Sequence, residues 1–467
     1  MANDYDRLLE LCGLEPEEIA REKPRLDKVF NKIGLDAEDM KKAETWVKQH
    51  HDVELEGGRK ILRLWILELV DLVLAREEGK KLVYYGYPTI PGPSGAIAAT
   101  DSNIFCTCPD VVLTHTLGQI FNKFNPILEA AEKNGLPPGY GLCSLQQTRV
   151  GGMHMGIVPV PDIALTSSYF CDMGSKTDEL LHEKYGHPAV YIDGSMDSRW
   201  GEFPEYQPER IEFLGGQIEK ALKKVENVLH IKITEEARHE GLTRGRQLIT
   251  AMGELVELMR TADPQPISMV TVELVRRLST GSSSSRFIKE GPSAVSLLVE
   301  GVKERIRKGV GVVEKGAPKI ITYIGHFADP SIVRMIENTG LSIPYTSLAA
   351  TMSKYYKVAS SVRGSELAEQ EMARGTFHSV YGFVKRMEET MRTTKVEGLI
   401  WDYVLHCRPM SLPSHLMKQV IEKETGIPVL AFEFDLVDNR TINANSLRTK
   451  VETFAEILRA RRTPAPQ

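Results

Sequence analysis

Apolar residues recur at helical spacing from Tyr5 to Arg76, with interruptions at Gly13, Pro24, Gly34 and Gly57-Gly58, so the chain is expected to open with a set of helices. Within it, Leu62-Arg63-Leu64-Trp65-Ile66-Leu67 is the most apolar run. Arg63, Glu68 and Asp71 break that run well short of a membrane span, and it reads as a buried helix. The period changes at Lys81-Leu82-Val83-Tyr84-Tyr85-Gly86-Tyr87-Pro88, a β-rich stretch closed by Gly and Pro that suits the first strand of a parallel sheet. Further strands are expected at Val111–Leu113, Ile163–Thr166 and Ala189–Asp193, with helices between them. From Pro208 to about Arg307 the pattern is almost wholly helical, with Thr234 and Ser268 as N-caps and Gly281 to Ser285 as an internal loop. A second alternation starts at Lys319–Gly325, passes through a helix over Pro330–Asn338 and returns at Leu341–Tyr345. It continues with strands at Gly398–Val404 and Ile427–Phe432 and a final helix from about Asn445 to Arg459.

These patterns predict an α/β protein with two Rossmann-like parallel-sheet units, an N-terminal helical region and a helical connecting segment. The expected boundaries are 1–80 for the helical region, 81–207 for the first α/β unit, 208–316 for the connecting helices and 317–467 for the second unit. No short-period repeat is evident, and the two units suit a diverged structural pair.

Composition narrows the function classes. The 467 residues carry a formal net charge of -5, which gives no basic surface that asks for nucleic acid. Met1-Ala2-Asn3-Asp4-Tyr5-Asp6 lacks the basic-then-apolar order of a signal peptide, so a cytoplasmic location with no membrane association is expected. In that compartment six cysteines are better read as free thiols or metal ligands than as disulfides.

Three of those cysteines sit where α/β folds carry chemistry, in loops that follow strands. Cys171 follows the strand at Ile163, Cys407 follows the strand at Gly398, and Cys143 lies in the loop-to-helix passage Gly139-Tyr140-Gly141-Leu142-Cys143-Ser144. No C-x-x-C pair joins them, so a shared site has to be assembled by the fold. Three readings stand side by side: small buried apolar residues, a zinc site completed by His406 or His154, or an iron site. Structural zinc sites usually show local ligand pairs, and thiolate-only ligation by three residues suits iron better.

At these residues the chain resembles the 2-hydroxyacyl-CoA dehydratases and the related benzoyl-CoA reductase subunits. The resemblance runs from about residue 81 to residue 458. It takes in Cys143-Ser144 with Arg149 and Gly151, Pro161-Asp162, Cys171-Asp172 with Lys176, and Pro188–Asp193. It continues through His406-Cys407, Gly426–Leu430, Glu433-Phe434-Asp435 and Leu447–Phe454. The resemblance implies a [4Fe-4S] cluster between two α/β domains, with Cys143, Cys171 and Cys407 as ligands and the fourth iron position open. It further implies an acyl-CoA substrate, a related second subunit in a hetero- or homodimer, and a low-potential electron from a separate ATP-hydrolysing iron–sulfur activator. The chain has no G-x-x-x-x-G-K-[ST] loop, which fits the recipient of that electron. Pro344–Met352 lacks the acidic residue and further cysteine that many relatives carry there, which argues against a double cubane and for a pocket completed by the partner. The alternatives are a non-catalytic electron-relay or structural partner subunit of such a complex, and a zinc-stabilised structural subunit.

The remaining candidates take plainer readings. Cys106-Thr107-Cys108 is expected beside a strand and Cys12 in a helical core. Gly86–Gly95 follows the first strand but lacks a G-x-G-x-x-G. Gly151–Gly156 is expected to form a flexible loop with His154 at the surface, and Gly281–Ser285 with Arg286 a solvated linker.

Overall fold

The computed structural model describes residues 5–87, 92–137, 143–168, 171–194, 208–280, 285–323, 329–346, 368, 380–407, 411 and 414–462. Its N-terminal region holds the helices Asp6–Leu11, Pro16–Ile33, Ala37–His50 and Glu56–Leu74. The third opens with a reciprocal cap, in which Asp39 N–H donates to Asp36 Oδ1 at 2.9 Å and Asp36 N–H to Asp39 Oδ2 at 3.0 Å. Two expected breaks are not breaks. Pro24 lies inside Pro16–Ile33, where the buried stripe Ile19, Leu26, Val29, Phe30 and Ile33 runs on past it, so packing overrides the lost hydrogen bond. Gly57 and Gly58 lie in the first turn of Glu56–Leu74, where a Cβ on Gly57 would stand 2.2 Å from the Leu298 nitrogen. Trp65 on that helix is fully buried and donates to the Leu274 carbonyl at 3.3 Å. Cys12 is fully buried as well.

Among the described residues there are two four-stranded sheets, both all-parallel. The first contains β1 (Lys81–Tyr85), β2 (Ile104–Thr107), β3 (Ile163–Ser167) and β4 (Ala189–Ile192) in the order β2-β1-β3-β4. The second contains β5 (Lys319–Thr322), β6 (Ser342–Thr346), β7 (Gly398–Val404) and β8 (Val429–Phe434) in the order β6-β5-β7-β8. The two orders are the same, so the units are a topological pair. In each, the chain leaves the first strand to one side and later returns to the other. The crevice beyond the carboxyl ends of β1 and β3, or of β5 and β7, is therefore the switch point where such sheets bind ligands.

One expected strand is a helix. Val111–Leu113 belongs to the helix Pro109–Leu113, which runs on into a π-helical stretch over Thr114–Ile120, and the strand is instead Ile104–Thr107. Pro109 at the first helical position decides the matter, because its fixed φ and missing N–H suit a helix start. The strand β8 begins two residues later than its expected start.

The connecting helices Pro208–Leu229, Glu235–Thr261, Met269–Thr280 and Ser285–Lys308 join the units. Glu235–Thr261 packs on both the helix Gly92–Thr100 of the first unit and β6 of the second. The expected linker lies outside the described residues at 281–284, and so does most of the segment from Pro344 to Met352. Among the described residues no helix is long and apolar enough to cross a membrane.

Candidate functional site

Two of the three candidate cysteines open helices. Cys143 is the extended N-cap of Ser144–His154, and Cys171 is the extended N-cap of Asp172–Tyr185, directly beyond β3. Each thiol thus stands at the positive end of a helix, where free N–H groups favour an anion. Cys407 comes from the second sheet, one turn beyond β7. Its N–H donates to the Val404 carbonyl at 3.1 Å and its carbonyl accepts from Ser411 N–H at 2.7 Å. The turn is made by His406 in the left-handed region at φ 63, a conformation few side chains adopt. Cys171 and Cys407 are 9% and 8% exposed.

The fold brings the three thiols together. Burial holds the Cys143 thiol well above the usual thiol range, and the nearby Cys171, Cys407 and Asp435 raise it further. A thiol held in its neutral form beside two other cysteines is a poor resting arrangement by itself. A bound cation reverses the balance, because metal coordination deprotonates thiols outright. Among the described residues no three His, Cys, Asp or Glu side chains are grouped so that they could hold a metal ion. His154 does not approach: it ends the helix that Cys143 begins, is exposed, and lies 2.9 Å from Lys184 Nζ. The expected loop around it is helical, since Gly151 lets this helix approach the Ile127 carbonyl, where a Cβ would stand 2.0 Å away.

Beside Cys143 the two units are clasped. Ser144 Oγ donates to Asp435, which follows β8, and accepts from Val437 N–H at 3.1 Å. Asp435 Oδ1 also accepts from the Val437 and Asp438 N–H groups, each at 3.1 Å. Arg440 adds a second tie by pairing with both Asp438 and Glu132.

Beneath the loop after β1 lies a buried ion triad that sequence reasoning missed. Arg149, on the Cys143 helix, stands 2.8 Å from Asp178 on the Cys171 helix and 3.7 Å from Asp110, and all three side chains are at most 1% exposed. One guanidinium thus ties both cysteine helices together. Burial pushes the Asp110 carboxyl up to about 6, with Arg149 pulling it down and Asp178 pushing it further up. Gly86 makes room for the triad, because a Cβ there would meet Asp178 Oδ2 at 2.4 Å. A signal was present in Pro109-Asp110-Val111-Val112-Leu113, where a carboxylate interrupts an apolar run.

Aromatic residues follow the first strand of each unit, Tyr87 beyond β1 and Tyr323 beyond β5. Tyr323 follows β5 and stacks on Trp401 with ring centroids 4.2 Å apart. Burial, then Cys407, Asp402 and Tyr87, raise its hydroxyl well above the usual range, so Tyr87 and Tyr323 face the same region. Cys106 lies in β2, and Cys108 just beyond it reaches Asp110 Oδ2 at 3.7 Å.

Residues 102–458 match the family model described as 2-hydroxyglutaryl-CoA dehydratase, D-component. The chain belongs to this dehydratase family. It is 20% identical to the alpha subunit of (R)-2-hydroxyglutaryl-CoA dehydratase of Acidaminococcus fermentans over 65% of this chain, an alignment that takes in 61% of that protein. It is 22% identical to the alpha subunit of (R)-2-hydroxyisocaproyl-CoA dehydratase of Clostridioides difficile, over 72% of this chain and 81% of that one. It is also 22% identical to a benzoyl-CoA reductase subunit of Thauera aromatica, over 69% of this chain and 78% of that one. The matched span of this family member contains the triad, the Ser144–Asp435 clasp and all three candidate cysteines. The N-terminal helices and β1 lie before it.

Proposed function

We propose that the chain is an iron–sulfur subunit acting on acyl-CoA thioesters, of the 2-hydroxyacyl-CoA dehydratase or benzoyl-CoA reductase type, with Cys143, Cys171 and Cys407 holding a [4Fe-4S] cluster. The observation that carries this reading is the convergence of three thiols from three separate elements at the strand ends of both sheets, with Cys171 and Cys407 both close enough to raise the Cys143 thiol. The donor set fits. A single zinc ion draws its sulfurs to about 3.8 Å from one another, given Zn–S bonds of about 2.3 Å. A cubane instead binds each thiolate through a different iron, so its ligands stand farther apart.

When bound, such a cluster with an open iron position supplies Lewis acidity and one-electron transfer together. The protein's own residues prepare the place. The two helix N-termini favour negative charge on Cys143 and Cys171, the Arg149 triad fixes the spacing of their helices, and the Ser144–Asp435 clasp sets the second unit against the first. The Tyr323–Trp401 stack shields the Cys407 side from water. With no ATP-binding loop of its own, the subunit takes its electron from a separate ATP-hydrolysing activator and works with a related second subunit in the cytoplasm.

The test is anaerobic purification with iron, sulfide and zinc analysis. About four irons with matching sulfide per chain are expected, together with turnover of 2-hydroxyacyl-CoA or aromatic acyl-CoA thioesters only when partner, activator and ATP are present. Zinc in place of iron, or turnover by the isolated chain without ATP, overturns the reading.

A further inference from the structure

Each sheet has two outer strands, and they are not equally protected. The side chains of β2 are all buried, and in β6 only Tyr345 is half-buried. The strand β8 exposes Glu433, a charge of the kind that keeps sheet edges from pairing with other chains. The strand β4, Ala189-Val190-Tyr191-Ile192, carries no charge, and Tyr191 is 45% exposed. Ala164 N–H donates to the Pro188 carbonyl and Ser168 N–H to the Ile192 carbonyl. In this parallel ladder the N–H and C=O groups of Ala189 and Tyr191 therefore point away from β3. Among the described residues no strand pairs with that outer side.

The ground on either side of the strand is apolar too. The helix Asp172–Tyr185 packs on β3 and β4 and leaves Leu180 51% exposed. The helix Pro208–Leu229 packs on the same two strands and leaves Phe213 46% exposed. Lys176 and Glu183 are exposed one turn to either side of Leu180. Lys176 is held by Glu179 at 2.7 Å, an exposed pair worth little by itself, and among the described residues Glu183 has no ion-pair partner. Burial raises the Tyr191 hydroxyl above its usual range, and the charges of Asp178, Glu179, Lys176 and Glu183 also bear on it, so its ring lies over this helix face.

We infer that β4 pairs antiparallel with β4 of a second copy of this chain across a two-fold axis, joining the first units of two chains into one continuous sheet. With Val190 at the axis, Ala189 of one copy faces Tyr191 of the other. This register uses every outward donor and acceptor of both strands and lays each tyrosine ring over a small side chain. Strands in a sheet stand about 4.8 Å apart, so helices lying over β3 and β4 of each copy come to about 10 Å from one another, the packing distance of two helices. The two Asp172–Tyr185 helices then run antiparallel with Leu180 against Leu180, and Lys176 of each copy meets Glu183 of the other. That exchange favours a second copy as the occupant, because a face carrying both signs about an apolar centre is complementary to itself. Such a dimer goes beyond the acyl-CoA reading, which calls for a related subunit without giving it a surface, and it does not depend on the metal.

The experiment measures the mass of the anaerobically purified chain by sedimentation over a range of concentrations. A dimer is expected. Leu180→Glu sets two carboxylates against each other at the axis and should weaken the dimer at least about hundredfold, at an exposed helix position where the folded monomer loses little. Tyr191→Pro removes an outward donor without touching the ladder to β3 and should do likewise, and Leu180→Glu decides if Tyr191→Pro does not fold. Glu183→Lys should weaken the dimer as well, and combining it with Lys176→Glu should restore it. A monomer at every concentration overturns the inference, and so does a dimer that none of these variants weakens, which places the contact elsewhere. An unlike subunit that binds the unaltered chain but not Leu180→Glu, with no self-association of the chain alone, assigns the edge to that subunit and overturns the second copy. Iron analysis of the same samples tests the acyl-CoA reading separately, and zinc or no metal in them leaves the mass to decide the dimer.

Discussion

The two sheets share one strand order, but the ground beneath their cysteines is built from different interactions. In the first unit the helices carrying Cys143 and Cys171 are locked by charge, through the Arg149, Asp178 and Asp110 side chains buried out of reach of water. In the second, the turn to Cys407 is braced by the Tyr323–Trp401 stack and by Asp402, whose Oδ1 accepts from Tyr323 N–H at 2.8 Å. A buried charge network is directional and fails abruptly when one member is lost. An aromatic stack degrades more gently. The first unit has two helices to hold in register and the second a single turn, so the more demanding task received the more specific device.

The largest effect expected is on metal content. Cys171 and Cys407 each follow the third strand, in chain order, of their sheet, and if that equivalence extends to chemistry, Cys171→Ala and Cys407→Ala should both lose most of the iron. Cys12→Ala, deep among the N-terminal helices, should keep it. Iron and sulfide assays on anaerobic protein compare the three, and loss in only one of the paired variants would confine the equivalence to the backbone.

Next come the braces. Arg149→Met strands two carboxylates in the interior and should cost about 3–5 kcal/mol. Tyr323→Leu removes one aromatic pair, worth about 0.5–1.5 kcal/mol beyond its buried area. Thermal and denaturant unfolding of both variants would break the comparison if Tyr323→Leu proved the more damaging.

Charge in the first unit also predicts a pH dependence. The folded Asp110 carboxyl titrates near 6, above its unfolded value. Its contribution to stability is therefore full below about pH 4 and is lost as pH rises through about 6. Asp110→Asn should remove roughly 2–3 kcal/mol of that pH-linked change. Unfolding midpoints collected from pH 4 to pH 7 measure the slope, and an unaltered slope in Asp110→Asn would assign the titration elsewhere.

How much of this is readable in the sequence follows from what hydrophobic period can encode. The strand Gly398–Val404 is legible to the residue, because a β-rich run bounded by polar segments has one interpretation. Ile104-Phe105-Cys106 and Val111-Val112-Leu113 look alike by period, and only the proline between them tells strand from helix. The cysteine positions are legible as loops after strands. Of the triad only Asp110 leaves a mark, as a carboxylate inside an apolar run, and spacing along the chain does not say that Arg149 and Asp178 meet it out of reach of water.

The smallest effect should appear at the seam between the units, where the comparison becomes a question of who positions Cys143. Its helix belongs to the first unit, yet Ser144, the next residue, is held by Asp435 and Val437 of the second. In Ser144→Ala the carboxylate keeps two backbone donors, from Val437 and Asp438, so no buried charge is stranded and the loss should be about 1 kcal/mol. Stability is the less informative readout here. If the clasp orients Cys143, a chelator should strip iron from Ser144→Ala several times faster than from the unaltered protein, with iron content at rest unchanged. Ser144→Thr, which keeps the hydroxyl, should restore the slow rate. Equal release from all three proteins would leave Cys143 positioned by the Arg149 triad alone, and would make the first unit self-sufficient for two of the three thiols.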